Sequence, residues 1–411
     1  MRYGCIGEKL SHSFSKEIHA LLSDYEYEIR EIPRDTLDRF IKDGDFLGIN
    51  VTIPYKEAVI PHLHSIDEAA EKIGAVNTIV NRGGLLYGYN TDFYGMTRLI
   101  AHAGVVIEGR TVAILGTGGT AKTADAVCRT LGAREVITVS RNKSEQYCDY
   151  DELYALSHRI DVIINTTPVG MYPRGSESPV MLERFPNLSG VIDAVYNPLR
   201  TRLVLEARRR GIPSEGGLYM LVSQAVRASE IFLGVSYPVG VTDEVYEKIL
   251  ASKENIVLIG MPSSGKSTVG KILADVLERE LYDTDSLVVE KAGAPITEIF
   301  KSYGEAHFRD LETEAVFKAG ERPSRIIATG GGAILRGENV EALCQNGRLF
   351  FLDRAPEELI PTDSRPLATD REAIMERYRE RYPIYCEVCD EIIKCDGTAE
   401  VIAKRIGEKY L

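Results

Sequence analysis

The sequence predicts an α/β fold built on parallel sheets, and three observations carry that expectation. Apolar runs of strand length, "TVAILG", "EVITVS", "DVIINTT" and "GVIDAVY", then "NIVLIG", "RIIATG" and "GRLFFLD", alternate with helix-length segments. Runs apolar at every position suit strands covered on both faces, the setting of a parallel sheet between helices. Two glycine-rich turns, "GTGGTAK" and "GMPSSGKST", each follow such a run and open a helical stretch. The length of 411 residues allows two or three domains at roughly 100–200 residues each. One break falls near residue 100, where "TDFYGMTRLIAHAG" leads into "RTVAILG"; the other is the charged joint Ala251–Asn255. The expected units are 1–100, 101–250 and 254–411. The first two are read as one module with a cleft between them, the helices of about 217–250 packing back on the first.

Composition narrows the class. Apolar residues make up 44% of the chain, enough for real cores, yet no run approaches the roughly 20 needed to span a bilayer. The opening "MRYGCIGEKLSHSFS" has no long apolar stretch of the signal-peptide kind, so a cytoplasmic protein is expected. A net charge of −12 argues against nucleic acid as a general partner, while leaving room for anionic substrates held by local lysines and arginines. Seven scattered cysteines do not form a disulfide framework. Cys386, Cys389 and Cys395 have no histidine nearby and no second CxxC; packed thiols are the reading, a zinc site the alternative. No pattern reveals an oligomeric state.

Gly260-x-x-x-x-Gly265-Lys266-Ser267 fits the P-loop pattern in its required strand–turn–helix context. Gly260 and Gly265 let backbone N–H groups of the loop, with Ser263 and Ser264, curl around phosphates at a helix N-terminus that continues through Thr268. Lys266 is expected at the β/γ-phosphates and Ser267 on Mg²⁺. Downstream stand "YDTDSLV", with Asp283 and Asp285 read on one face of an extended segment, then "FRDLETEA", "ATGGGAIL", "SRPLA" and "RERYPIYCEVCD". Singly, a DxD pair is commonly a solvated turn and GGG only a turn.

Together and in this order, these motifs resemble shikimate kinase over all of 254–411. The resemblance implies a nucleoside-monophosphate-kinase-like α/β domain using ATP and Mg²⁺. It implies Asp283 near Mg²⁺ through water, and Asp285 on the shikimate hydroxyls, assisting deprotonation of the attacking one. Arg309 and Arg381 would grip the carboxylate as bidentate forks, with Glu312 orienting Arg309. Gly331 and Gly332 would let the backbone approach the ring, and Arg365 would close over the phosphates as the lid arginine. One departure stands out: the arginine usual before the lid "RPL" falls near Glu358, and the lid motif "PEELIPTDSRPLA" carries only Arg365.

In the first module, Gly116, Gly118 and Gly119 make a variant dinucleotide loop. The next strand ends in "TVSRNKS", with Arg141 and Lys143 and no acid, which favours a 2′-phosphate and hence NADP(H); a solvated basic loop is the alternative. Lys56, after "NVTIPY", and Asp92, in "GYNTD", could hold one another's charge and move a proton, although isolated residues of these types are usually surface charges. The series "SHSFSKEIH", "NVTIPYK", "GAVNT", "GYNTD", "GTGGTAKTA", "NTTPVGM", "YNPLRT" and "GLYMLVSQAV" resembles shikimate dehydrogenase over about 1–250.

That resemblance implies Ser13 and Ser15 on the substrate carboxylate, and Thr52, Asn77 and Gln224 on its hydroxyls. It implies Lys56 and Asp92 as the catalytic pair, with Tyr196 closing on the substrate. Thr167, Met171, Gly217 and Met220 would line the nicotinamide side, and Arg141 would clamp the adenosine phosphate. The family's usual second arginine falls at Glu145, which leaves Lys143 as its substitute and NADP preference less strict. The two resemblances together imply consecutive steps, reduction of 3-dehydroshikimate and phosphorylation of shikimate, in one chain. Side activity on quinate stays open. A catalytically silent nucleotide-binding or assembly role for the last domain, and a binding-scaffold role for the first module, are the competing readings.

Overall fold

The computed structural model describes residues 1–10, 14–359 and 371–410, so Ser13 and Arg365 lie outside the described residues. The chain forms two compact units. One takes 1–171, 177–197 and 206–249, and the other 172–176, 198–205 and 250–411.

The first unit opens with strands β1 (Tyr3–Gly7), β2 (Tyr27–Glu31), β3 (Gly48–Val51), β4 (Ser65–Ile66), β5 (Thr78–Arg82) and β6 (Leu85–Tyr89), ordered β2-β1-β3-β5-β6-β4. Helices α1 (Ser15–Leu22), α2 (Leu37–Asp43) and α3 (Glu68–Ile73) interrupt them, and α4 (Thr91–His102) follows. This sheet is mixed: β1 runs parallel to β2 and β3, whereas β5 is antiparallel to both β3 and β6. The reversal is a hairpin over Gly83 and Gly84, at φ 63° and 89°, a left-handed pair that glycine adopts without steric cost. Ile6, Ile49, Val51, Ile79 and Val76 fill its core.

The second sheet is wholly parallel, as the apolar runs predict. It comprises β7 (Thr111–Leu115), β8 (Glu135–Val139), β9 (Val162–Asn165), β10 (Gly190–Asp193) and β11 (Ser214–Glu215), ordered β11-β10-β9-β7-β8. Helices α5 (Gly119–Thr130), α6 (Tyr150–Ala155) and α7 (Arg202–Arg209) belong to these crossovers. Then α8 (Leu218–Leu233) returns to the first sheet, packing on α4, α1, β3 and β5. The approach is close: a Cβ on Gly95 of α4 would stand 2.8 Å from the Met220 carbonyl oxygen of α8. The last helix, α9 (Val241–Lys253), covers most of the joint read at Ala251–Asn255, and the next strand starts at Asn255.

The second unit holds a third sheet, also parallel: β12 (Asn255–Ile259), β13 (Leu281–Asp283), β14 (Ile326–Ala328), β15 (Gly347–Asp353) and β16 (Glu391–Lys394), ordered β13-β14-β12-β15-β16. Its helices are α10 (Lys266–Leu277), α11 (Thr284–Ala292), α12 (Ile296–Gly320), α13 (Gly337–Asn346), α14 (Arg371–Val388) and α15 (Ala399–Gly407). Every residue of β12 is buried, and separate apolar clusters cover the two faces of the sheet. Cys344, Cys386 and Cys389 pack against the cluster containing Phe351 and Tyr385, while Cys395 lies in the other. Segment 198–205 is part of this unit: Leu199 N–H donates to Asn346 Oδ1 at 3.0 Å, and Arg200 N–H to the Gln345 carbonyl at 2.9 Å. The Arg200 guanidinium reaches the Cys344 and Gly347 carbonyls and pairs with the buried Glu254 carboxylate.

Candidate active sites

The first site gathers at the C-terminal ends of β1 and β3 and the start of α4. Lys56 Nζ donates to Asp92 Oδ2 at 2.5 Å, although 36 residues separate them. Both side chains are mostly covered, at 20% and 14% exposure, so the pair sits where charge is poorly screened. Asp92 is fixed by helix geometry: it lies in the first turn of α4, capped by Asn90, whose Oδ1 accepts the Phe93 N–H at 3.2 Å. Lys56 is held from the other side, its carbonyl accepting the Val76 N–H at 2.8 Å.

A polar chain lies beside this pair. Asn77 Oδ1 accepts the Thr91 N–H at 2.7 Å, and Thr91 Oγ1 donates to Gln224 Oε1 at 3.3 Å. Asn77 and Gln224, predicted from sequence, are thereby joined through Thr91, which the sequence did not single out. Ser15 is buried at the start of α1, and Thr52 N–H donates to the Ile6 carbonyl at 2.9 Å. Tyr196 meets Phe14 edge-on, with ring centroids 5.5 Å apart, and burial raises its phenol above the ordinary value. One turn after Ser15, His19 is fully enclosed, stacked on Tyr27 and bonded to the Tyr25 hydroxyl at 2.5 Å. Burial drives its pKa down to about 3, so it is a neutral core residue.

The dinucleotide loop follows β7. Gly116 has φ 113°, and a Cβ there would stand 2.7 Å from Thr166 Oγ1, so glycine is required twice over. Gly118 caps α5 and Gly119 begins it; nothing lies within 4 Å of where either Cβ would be, which leaves the helix N-terminus open to an anion. Lys122, in the first turn of α5, pairs with Glu57, the neighbour of Lys56, at 2.7 Å. Past β8, Arg141 is exposed, while Lys143 is engaged by Glu152, whose side chain also closes the capping box of α6. Thr167 Oγ1 donates to Asn165 Oδ1 at 2.7 Å, and Asn165 in turn donates to Asp193 Oδ1 at 2.9 Å. This buried Asn–Asp link between β9 and β10 gave no sequence signal. Met171 is exposed and Met220 buried. Gly217 caps α8 where a Cβ would fall 2.2 Å from the Ala194 carbonyl oxygen, a position closed to any other residue.

In the second unit, the loop after β12 has the conformation its sequence demands. Gly260, at φ 145°, lies where a Cβ would be 2.8 Å from the Leu352 carbonyl oxygen, and Gly265 caps α10 at φ 99°. Ser263 is itself left-handed, at φ 65°, and Ser264 is buried within the loop. Lys266 is buried and donates to the Gly260 and Met261 carbonyls at 2.8 and 2.7 Å. Ser267 Oγ donates to Asp283 Oδ2 at 2.6 Å, which brings together the two oxygen donors expected near Mg²⁺; Thr268 follows in the first turn. Asp283 and Asp285 do not share an extended face. Asp283 ends β13 and caps α11, accepting the Ser286 N–H at 3.1 Å, and Asp285 lies in the helix's first turn. An aspartate one residue before a helix satisfies a free N–H, and that preference overrides extension here. Arg354, not anticipated, donates from Nε to the Ser264 carbonyl at 3.3 Å and pairs with Glu358 at 3.1 Å.

Beside the loop lies a cluster of arginines and carboxylates. The long helix α12 breaks at Gly304, φ 81° and ψ 175°, and restarts with Glu305, Arg309 and Glu312 on successive turns. Arg309 pairs with Glu312 at 2.6 Å and with Glu305 at 3.0 Å. Burial raises the Glu312 carboxyl above its ordinary value, opposed by the Arg309 charge. Arg381 Nη1 and the Tyr385 hydroxyl both donate to the Gly331 carbonyl, at 3.0 and 2.5 Å. The glycine run is packed against these groups: a Cβ on Gly332 would fall 2.1 Å from Arg309 Nη1, and one on Gly331 2.7 Å from Pro262 Cδ. Gly332→Ala is therefore expected to displace the Arg309 guanidinium. A shift of this kind typically costs about 10²-fold in activity. Kinase turnover of the variant checks this, with reductase turnover unchanged in the same sample.

A Lys–Asp pair beside an open dinucleotide loop is compatible with a nicotinamide-dependent oxidoreductase, and a P-loop beside two arginines with a phosphotransferase. Comparison with known proteins agrees: residues 5–79 match the shikimate dehydrogenase substrate binding domain, and 262–410 match shikimate kinase. A shikimate dehydrogenase (NADP(+)) of Clostridium perfringens is 36% identical over 265 residues, which are 60% of this chain and 97% of the relative. A chorismate mutase/shikimate 5-dehydrogenase fusion protein from Clostridium acetobutylicum aligns with TM-score 0.57 and 38% identity, covering 60% of this chain and 96% of that one. The Thermus thermophilus shikimate 5-dehydrogenase in complex with NADP(H) and shikimate gives TM-score 0.55 at 28% identity, covering 60% and 99%. The chain belongs to the shikimate dehydrogenase family and carries a shikimate kinase domain after it.

Proposed function

We propose that the protein is a bifunctional enzyme: its first unit reduces 3-dehydroshikimate to shikimate with NADPH, and its second phosphorylates shikimate to shikimate 3-phosphate with ATP and Mg²⁺. The observation that carries this is the presence of two polar constellations in one chain: Lys56–Asp92 with Asn77 and Gln224, and Lys266–Ser267–Asp283 with Arg309 and Arg381.

In the reductase, NADPH supplies a hydride to the carbonyl carbon of the substrate. The Lys56 ammonium gives a proton to the oxygen as negative charge grows there, and Asp92 keeps that ammonium placed. Ser13 and Ser15 bind the carboxylate, Thr52, Asn77 and Gln224 the hydroxyls, and Tyr196 covers the substrate. The open N-terminus of α5 at Gly118 and Gly119 suits the pyrophosphate, with Arg141 on the 2′-phosphate and Lys143, already engaged by Glu152, in a lesser role. Thr167, Met171, Gly217 and Met220 border the nicotinamide.

In the kinase, ATP supplies the γ-phosphoryl group and Mg²⁺ offsets its charge. Lys266 and the N–H groups of the loop and first turn, Ser263 to Thr268 with Gly260, hold the phosphates, with Arg365 closing from the lid, while Ser267 and Asp283 provide oxygen donors for the cation. Asp285 accepts the proton of the attacking hydroxyl, and Arg309 and Arg381 hold the carboxylate at the far end of the ring. The reduction is readily reversible, and ATP-driven phosphorylation draws it forward; linkage in one chain raises the local concentration of the intermediate. No helix among the described residues is long and apolar enough to cross a membrane, in keeping with work in the cytoplasm.

A one-pot reaction tests this reading. The protein is mixed with 3-dehydroshikimate, NADPH and Mg²⁺, with and without ATP, and products are identified by mass spectrometry. Shikimate without ATP and its 3-phosphate with ATP are expected. Shikimate in both and no ester at high ATP would leave a silent nucleotide-binding domain.

A further inference from the structure

We infer that Arg377 is a third guanidinium of the kinase acceptor pocket, donating to the substrate carboxylate beside Arg309 and Arg381. The inference rests on the proposed kinase reading and adds a residue to it. Arg377 and Arg381 are four residues apart on α14, which sets them one above the other on a single helix face. Arg381 is committed to this pocket through its bond to the Gly331 carbonyl. Arg377 is close enough to Arg381 for their charges to repel, and it also feels Glu305, the partner of Arg309, and Glu376 and Glu380 of its own helix.

The hydrogen bonds of the cluster are unequal. Arg309 uses both terminal nitrogens, on Glu312 and Glu305. Among the described residues, Arg377 Nη1 is buried and has no hydrogen-bond partner. A buried guanidinium N–H without an acceptor, next to a second cation, is costly to maintain. A carboxylate arriving between the arginines would accept that N–H and relieve the repulsion together. Burial and the Arg381 charge hold the Arg377 pKa below its ordinary value, as expected for a cation awaiting an anion. Planar, fixed donors are suited to this capture, so arginine here adds affinity for the acid form of the acceptor rather than for its ring hydroxyls.

The test uses the full chain and two acceptors, shikimate and its methyl ester, in which the carboxylate charge is removed. For Arg377→Met, KM for shikimate is expected to rise about tenfold, loss of one charge-assisted contact, while kcat and KM for ATP stay within about twofold. With the ester, Arg377→Met and the wild type should perform alike, and Arg377→Lys should recover part of the loss with the acid. The unchanged kcat and KM for ATP of the same samples report that the kinase unit is folded. An unchanged KM for shikimate overturns the proposal, as does an equal loss with acid and ester, or a loss confined to kcat or ATP. Failure of the wild type to phosphorylate shikimate would instead remove the kinase reading on which it rests.

Discussion

Replacing Lys56 by alanine is expected to lower the turnover of 3-dehydroshikimate reduction by about 10²–10⁴-fold, the usual range for loss of a positioned proton donor. Two effects act in the same direction. The oxygen that gains negative charge loses both its proton source and its cation. Asp92, only 14% exposed, then keeps a carboxylate whose 2.5 Å partner is gone, so the site becomes negative where negative charge must develop. Lys56→Arg should not restore the rate, because guanidinium retains its proton under all working conditions. Oxidation of NADPH followed at 340 nm measures the loss, and an unchanged affinity for NADPH shows that the first unit is folded. A Lys56→Ala enzyme within tenfold of the wild type would take the lysine out of the chemistry.

Lys266→Ala is expected to lower kinase turnover by about 10²–10³-fold or more, as loss of a preorganised donor to developing charge does. Its Nζ donates to the Gly260 and Met261 carbonyls, the two that begin the phosphate loop, and the side chain is buried. It is therefore aimed across the space in which the loop's N–H groups converge, and no other lysine of α10's first turn can replace it. Formation of shikimate 3-phosphate is the readout, and reduction should continue at the wild-type rate. The two variants thus serve as mutual controls. If Lys266→Ala lost both activities, the defect would be one of folding.

Some parts of both sites were legible in the sequence because backbone physics writes them there. Gly260 and Gly265 occupy left-handed or crowded positions that other residues avoid, and a buried parallel strand is apolar over most of its length, as β7, β9 and β12 are apart from Thr111, Asn165 and Asn255 at their ends. The antiparallel turn at Gly83–Gly84 carried an equally clear signal that the run-based reading passed over. So did the start of α11: an aspartate directly before a helical stretch is an N-cap candidate, and Asp283 was read as extended. Other features left no local trace. Thr91 links Asn77 to Gln224, which lies 133 residues after Thr91 in the chain. Gly217 and Gly332 are glycine because of what stands opposite, a carbonyl and a guanidinium, not because of their own torsions. The Asn165–Asp193 bond exists only once β9 and β10 lie side by side. Such residues are set by tertiary distance, which a single sequence does not encode in its spacing.

The pairing of Arg200 with Glu254 bears on how the two enzymes could ever be separated. A fragment beginning at Ala251 would hold every kinase motif, yet it would keep the Glu254 carboxylate, 7% exposed, and lose the guanidinium that neutralises it. Removing one member of a buried ion pair costs about 3–5 kcal/mol. The excised kinase should therefore unfold at a lower urea concentration than the same domain within the whole chain, and Glu254→Gln should recover part of the difference. The natural place to cut is not where the first motif begins, because the kinase draws on residues that precede it in translation. Gene shuffling that treats the junction as a clean seam would inherit an unpaired charge.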